Sequence, residues 1–233
     1  MRTAKKNRGQ FVIIAVLLAA IMIVSIGTLM HTATTYYKHE PWEEYSTLIG
    51  NIELNSLRLV ELSLSDYSNS AVQDPLMLSE NLEKWQNNLT GIYPSKGILL
   101  KPDLSNGGLS CLGWNTKTAS SQAAANFELD ITSIGLAGYK FSTKISLSLS
   151  SLGFNSTSKE IGALVTSESG KAVLGLKRNF RVNNVTATSV LQIPNSNGVI
   201  TYRIPYNGTL PAEVEVWDQR GIRVVANCSE SFA

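Results

Sequence analysis

The 233-residue chain has little of what catalysis and metal binding require. It holds two histidines, His31 and His39, and two cysteines, Cys111 and Cys228. Two cysteines without histidines nearby cannot close a tetrahedral zinc site. Both histidines follow directly on a long apolar run, poorly placed for chemistry in the domain beyond it. The sequence has no Gly-x-Ser-x-Gly elbow, no His-Glu-x-x-His pair and no phosphate-binding glycine loop. The expectation is therefore a protein that is not an enzyme and needs no cofactor. Charged residues are also scarce, at 16% of the chain, and the formal net charge is only +2. That leaves no strong field over the whole chain, so nucleic acid is not the expected partner. Internal repeats are lacking too. The acidic residues form no specified site: Glu43 and Glu44 suit a solvated helix start, and Asp103, Glu128 and Asp130 have no spacing that defines paired carboxylates.

What the chain does have is one long hydrophobic run. Phe11 to Met30 reads FVIIAVLLAAIMIVSIGTLM, with Ser25, Gly27 and Thr28 as its only weakly polar positions. Twenty helical residues rise about 30 Å, the thickness of a bilayer's hydrocarbon core. Arg2, Lys5, Lys6 and Arg8 precede the run, and no acid accompanies them. The excess of positive charge on that flank predicts a cytoplasmic N-terminus, with residues 31–233 outside the cell. A cleaved secretory signal is the rival reading, but the residues after Gly27 match a small-x-small cleavage site poorly. Tyr36, Tyr37 and Trp42 fit the headgroup level just beyond such a helix.

Two features agree with an outer domain. Five Asn-x-Ser/Thr sequons occur, at Asn88, Asn155, Asn184, Asn207 and Asn227, all on the side expected outside. Each is either a glycosylation acceptor on an exposed surface or an unmodified turn asparagine. The even cysteine count is consistent with a Cys111–Cys228 disulfide, which would close a loop of more than a hundred residues and stabilise by up to about 5 kcal/mol. Two buried free thiols are the alternative.

The chain divides into a basic leader (1–10), a transmembrane helix (11–30), a helical region (31–94) and a β domain (95–233). Pro41 followed by Glu43 and Glu44 predicts a helix start. Tyr45, Ile49, Ile52, Leu59 and Val60 continue at helical spacing to about residue 66, Leu54, Leu57, Leu62 and Leu64 broaden the apolar face, and this amphipathic helix is either separate from the apolar one or continuous with it through a kink at Pro41. Asp74-Pro75 opens a second helix, with Leu78, Leu82, Trp85 and Leu89 on one face and Gly91 at its end. The two form an expected antiparallel pair. Beyond residue 95 the period changes to two, as in Phe127–Ile131 and Phe141–Leu149. Later runs are 190–193, 199–204, 214–217 and 222–225. Turn signals lie at Asn106-Gly107-Gly108, Gly135, Gly138, Ser169-Gly170, Asn197-Gly198, Asn207-Gly208 and Gly221. The reading is an α+β protein whose C-terminal part is an antiparallel β-sandwich of seven or eight short strands. Trp85, Trp114 and Trp217 are expected in the core. Lys177, Arg178 and Arg181 form a basic cluster around Phe180 that reads as a solvated strand face.

The first thirty residues carry a more specific signal. A basic stretch, then Arg8-Gly9-Gln10, then an uninterrupted apolar helix, resembles the class III signal of archaeal type IV pilins and pilin-like proteins. The resemblance covers about residues 5–30. It implies that a prepilin peptidase cuts between Gly9 and Gln10 and that the retained helix packs with its copies into a filament core. Expected partners are then the membrane, the peptidase and further copies or related subunits. Cleavage would remove Arg2, Lys5, Lys6 and Arg8, the charges that hold the helix in place. The chain departs from the pattern at Ile14, where many pilins carry Glu, and no acid occurs before Glu40. The alternative is an uncleaved, single-pass surface protein whose β domain binds an envelope partner or a glycan.

Overall fold

The computed structural model describes residues 6–194 and 199–232, and the side chains among them other than those of 6–15, 33–42, 106 and 232. Two helices come first. α1 runs from Lys6 to Asn69, 64 residues, and α2 from Met77 to Ile92. The expected amphipathic helix is thus not a separate element, because α1 passes through Pro41 without ending. The side chains around Pro41, with those of Tyr36, Tyr37, His39 and Trp42, lie outside the described residues. The chain forms two compact units, Met1–Ile52 and Glu53–Ala233, and α1 contributes to both. Among the described residues no helix is long and apolar enough to cross a membrane. The first five residues of the expected span, 11–15, are not among those whose side chains are described.

α1 ends where side chains take over its last carbonyls. Asn69 donates through Nδ2 to the Ser65 carbonyl at 2.7 Å, satisfying an acceptor that the helix leaves free. α2 begins after Asp74, whose Oδ1 accepts from the Leu76 N–H at 2.9 Å. It buries Leu78, Leu82 and Leu89 on one face, each contributing about 2 kcal/mol of hydrophobic stabilisation. Two bonds set its direction against α1: Asn81 reaches Ser63 at 3.0 Å and Trp85 reaches Ser56 at 3.1 Å. Later residues of α2 meet earlier residues of α1, so the pair is antiparallel. Ser56 and Ser63 are fully buried.

Eleven strands follow among the described residues: β1 (Ile98–Leu112), β2 (Thr118–Ile131), β3 (Leu136–Asn155), β4 (Glu160–Ser167), β5 (Phe180–Val182), β6 (Val185–Thr186), β7 (Leu191–Pro194), β8 (Ile200–Pro205), β9 (Ala212–Trp217), β10 (Arg223–Cys228) and β11 (Ser231–Phe232). The larger sheet has the order β1-β2-β3-β4-β8-β7, with β11 pairing the end of β3; the smaller is β10-β9-β5-β6. All pairings are antiparallel except β11 with β3. α2 lies against β1, and β10 lies across β2 and β3. The inward side of β2 reads Ala119, Ser121, Ala123, Ala125, Phe127, Leu129, Ile131, small at one end and large at the other. β10 comes close at the small end, where the Ser121 hydroxyl donates to the Arg223 carbonyl at 2.5 Å. β9 and β10 add Ala212, Val214, Val216, Val224 and Ala226 to the core.

The strands are more numerous than the seven or eight expected, and β1 to β3 are longer. Asn106-Gly107-Gly108 is the instructive difference. It does not turn the chain but forms a bulge within β1, which stays paired with β2 on both sides of a register shift between Asp103 and Gly108. A Cβ on Gly107 would sit 2.3 Å from the Ala124 carbonyl oxygen, so glycine permits the two backbones to approach. Gly135, in contrast, does close the turn between β2 and β3, in the left-handed conformation at φ 68°. The Asn197-Gly198 turn lies outside the described residues.

Candidate functional site

A long exposed apolar stretch lies on the first unit's part of α1. Val16, Leu17, Leu18, Ile21, Met22, Ile23, Val24, Ile26, Leu29 and Met30 are each 53–71% exposed. The exposed positions occur around the whole helix, because every described residue from 16 to 32 is exposed. The few hydroxyls in this stretch turn inward on the backbone. Ser25 donates to the Ile21 carbonyl at 2.8 Å, Thr28 to that of Val24 at 3.0 Å, and Thr32 to that of Thr28 at 2.7 Å. Satisfied in this way, they require no outside partner. A continuous apolar surface of this extent is larger than scattered surface hydrophobics account for.

In the second unit, α1 is fastened to the β strands by polar contacts along its length. Tyr139 on β3 donates to Glu53 at 2.7 Å, which raises the tyrosine's pKa. Arg220 approaches Glu61 at 3.8 Å. The Ser68 hydroxyl accepts the Arg223 N–H at 3.0 Å. Asn69 uses both ends of its amide, accepting from Trp217 Nε1 at 2.7 Å and donating to the Gly221 carbonyl at 2.8 Å. Val60 and Leu64 are fully buried between these contacts. This part of the helix is built into the second unit.

Beside that junction lies a cluster of charge and aromatic rings. Arg223 pairs with Glu215, a carboxylate 1% exposed. Its guanidinium lies 5.3 Å from the centroid of Trp114 and 5.7 Å from that of Trp217. Arg181 lies 4.9 Å from Trp217. The stacked rings offset part of the cost of removing the arginine from water. Trp85, Trp114 and Trp217, expected in the core, are only half-buried. Lys177, Arg178 and Arg181 are exposed, as a solvated face requires.

The acidic residues considered from sequence are already engaged. Lys101 bridges Glu128 at 3.1 Å and Asp130 at 2.8 Å. Its bond, with one from the Gly138 N–H, holds the Asp130 carboxyl below the usual range. Asp103 is lowered likewise by the N–H and hydroxyl of Ser105. Among the described residues, no three His, Cys, Asp or Glu side chains converge as a metal site.

The disulfide expected between Cys111 and Cys228 is not formed, and both are free thiols. Cys111 Sγ lies 3.4 Å from Ser121 Oγ, whose hydroxyl bonds Arg223 at the start of β10. Cys228 ends that strand. The length of β10, about 16 Å, thus separates the two sites, whereas a disulfide needs Cα atoms within about 7 Å. Burial pushes the Cys111 thiol's pKa up, which favours the unreactive protonated form.

Arg8, Gly9 and Gln10 fall in the first turns of α1, and their side chains lie outside the described residues. Of the sequon asparagines, Asn88 is exposed on α2, Asn184 and Asn207 are exposed, and Asn155 and Asn227 are half-exposed. Comparison of the chain with protein-family models, curated proteins and solved structures finds no match. Sequence reading missed the fastening residues Glu53, Ser68, Asn69, Glu215 and Arg223. The one available signal was the run of small polar residues, Ser56, Ser63 and Ser68, on the apolar stripe of the helix.

Proposed function

We propose that this protein is a pilin-like subunit of a surface filament or pseudopilus, assembled through its N-terminal hydrophobic helix. The observation that carries this reading is the character of α1: one uninterrupted helix, exposed and apolar over residues 16–30, and bonded into a β-rich body over residues 53–69. Apolar on all sides, the helix moves from lipid into a bundle of copies at little hydrophobic cost, since lipid chains and packed side chains are alike in polarity. Residues 11–30 serve first as the membrane span, with the N-terminus cytoplasmic and the head outside. A prepilin peptidase then cuts between Gly9 and Gln10, which removes the basic leader that opposes withdrawal from the membrane.

The test is the mass of the chain in a fraction sheared from the surface of native cells. A chain beginning at Gln10 is the expected result. A chain that retains residues 1–9 and stays with the membrane would overturn the reading and leave an uncleaved, single-pass surface protein.

A further inference from the structure

Four of the five sequons, scattered over seventy residues of sequence, come together at one end of the β body. Asn155 closes β3 at its turn into β4. Across β4, Glu160 pairs with Pro205, which places Asn207 two residues past the same end of β8. Asn183 and Asn184 make the turn between β5 and β6, both in the left-handed region, at φ 50° and 64°. Asn183 is tied to β9, donating its N–H to the Glu213 carbonyl and accepting the Glu213 N–H at 2.8 Å. It also donates through Nδ2 to Tyr206 at 2.9 Å. Asn227 is paired with Glu213 and is the next-to-last residue of β10. The chain then returns through β11 to pair with Phe154 and Asn155. The opposite end of β3 holds Tyr139 and its bond to Glu53, on the order of 50 Å away along the strand. Asn88 stands apart on α2.

We infer that this end of the molecule is an N-glycosylated cap, and that Asn184 and Asn207 are its principal acceptors. Both side chains are exposed, as are the hydroxyl-bearing residues two positions on, Thr186 and Thr209. All four acceptor motifs meet that second requirement, for Thr157 and Ser229 are exposed as well. At Asn155 the Oδ1 accepts the Thr157 and Ser158 N–H groups, both at 2.9 Å, which leaves the Nδ2 side of the amide directed away from the turn. Asn88 differs: its Thr90 hydroxyl is donated back to the Asn87 carbonyl at 2.7 Å, within a helix that points residues two apart to different sides.

A surface cavity of about 410 Å³ is lined by Asn183 and Asn207, next to Asn184 in the chain. Val182, Val185, Pro205 and Tyr206 line it. Val185 is 69% exposed, an apolar side chain with no protein cover. A saccharide attached at Asn207 starts beside this apolar floor. In the modification, the Asn Nδ2 bonds to the anomeric carbon of a lipid-linked oligosaccharide. The bond from that carbon to the donor's phosphate oxygen breaks, the phosphate leaves with the electron pair, and the amide loses one proton. A separate glycosyltransferase carries out the step on the outer side of the membrane. The inference rests on the proposed topology in this one respect. It also implies that copies of the protein do not pack through this end.

The test is glycopeptide mass spectrometry on full-length protein from native membranes, run beside protease treatment of intact cells. Saccharide mass on most copies of Asn184 and Asn207 is expected. Thr186→Ala and Thr209→Ala should each remove one glycan mass from the intact chain. Unmodified asparagine at both positions, or saccharide only at Asn88, overturns the cap. If residues 31–233 are cleaved by external protease yet carry no glycan, the cap fails and the topology stands. If they are protected from the protease, both fail.

Discussion

Arg223 and Glu215 are diagonal neighbours on β10 and β9, and the surrounding residues leave the carboxylate almost no water. Removing one partner of such a pair exposes the other to the full cost of an unpaired charge. Glu215→Ala is therefore expected to destabilise the second unit by about 3 kcal/mol, measured by denaturant unfolding. Loss of under about 0.5 kcal/mol would place the pair in the class of screened surface bridges. The pattern Glu213-Val214-Glu215-Val216 reads as a strand with a solvated outer face, and nothing local distinguishes Glu215 from Glu213. Burial of Glu215 comes from tertiary packing, so this residue was not legible in the sequence. Lys101 and Asp130 give a second expectation. The Asp130 carboxyl is depressed by its bonds to Lys101 and the Gly138 N–H. Its stabilising contribution is fully present above the unfolded carboxylate value, near 3.9, and is lost as pH falls through the lowered native value. Thermal melts at falling pH should show a smaller acid-induced drop for Asp130→Asn than for the wild type. An identical slope in the two proteins would contradict the assignment.

At the scale of elements, apolar spacing located α2 and the inward faces of β2 and β3 well, and in α1 it placed Tyr45, Ile52, Val60 and Leu64 inside, whereas Leu54 and Leu62, expected on the same face, are exposed. The faces of α2 at Leu78, Leu82 and Leu89 follow directly from it. Boundaries between elements were harder to read. Pro41 signalled a start but lies within α1, and Asn106-Gly107-Gly108 signalled a turn but lies within β1. In the second case the glycines serve close backbone approach, which local turn propensity cannot distinguish from a reversal. Gly107→Ala should accordingly disrupt the β1–β2 pairing, seen as a fall in Tm and faster amide exchange of strand residues near Ala124. Unchanged exchange would mean that the bulge relaxes. The C-terminal end of α1 depends on Asn69, whose amide joins Trp217 and Gly221. Asn69→Ala removes these bonds and the one to the Ser65 carbonyl and should cost about 2 kcal/mol, with a blue-to-red change in Trp217 fluorescence as its indole N–H opens to water.

At the scale of the whole molecule, the sequence's contrast between a bare apolar segment and a polar β-rich remainder is preserved as two units with different chemistry. The functional account rests on the first of them and on the continuity of α1 into the second. The expected disulfide across the β domain is not part of the structure, so the second unit is held by its core and its polar fastenings. Its stability should be insensitive to reducing agents: the denaturation midpoint with and without a thiol reductant is expected to coincide. The most direct measurement is the yield of surface filaments from cells expressing Ala20→Asp, counted by electron microscopy of the sheared fraction. Ala20 is exposed in the apolar stretch, so the change leaves the β-rich unit intact. A carboxylate there costs about 3 kcal/mol in an apolar environment, roughly a hundredfold in the assembly constant. The account predicts that filaments disappear while the folded β-rich unit persists. Wild-type filaments from the Ala20→Asp protein would contradict it.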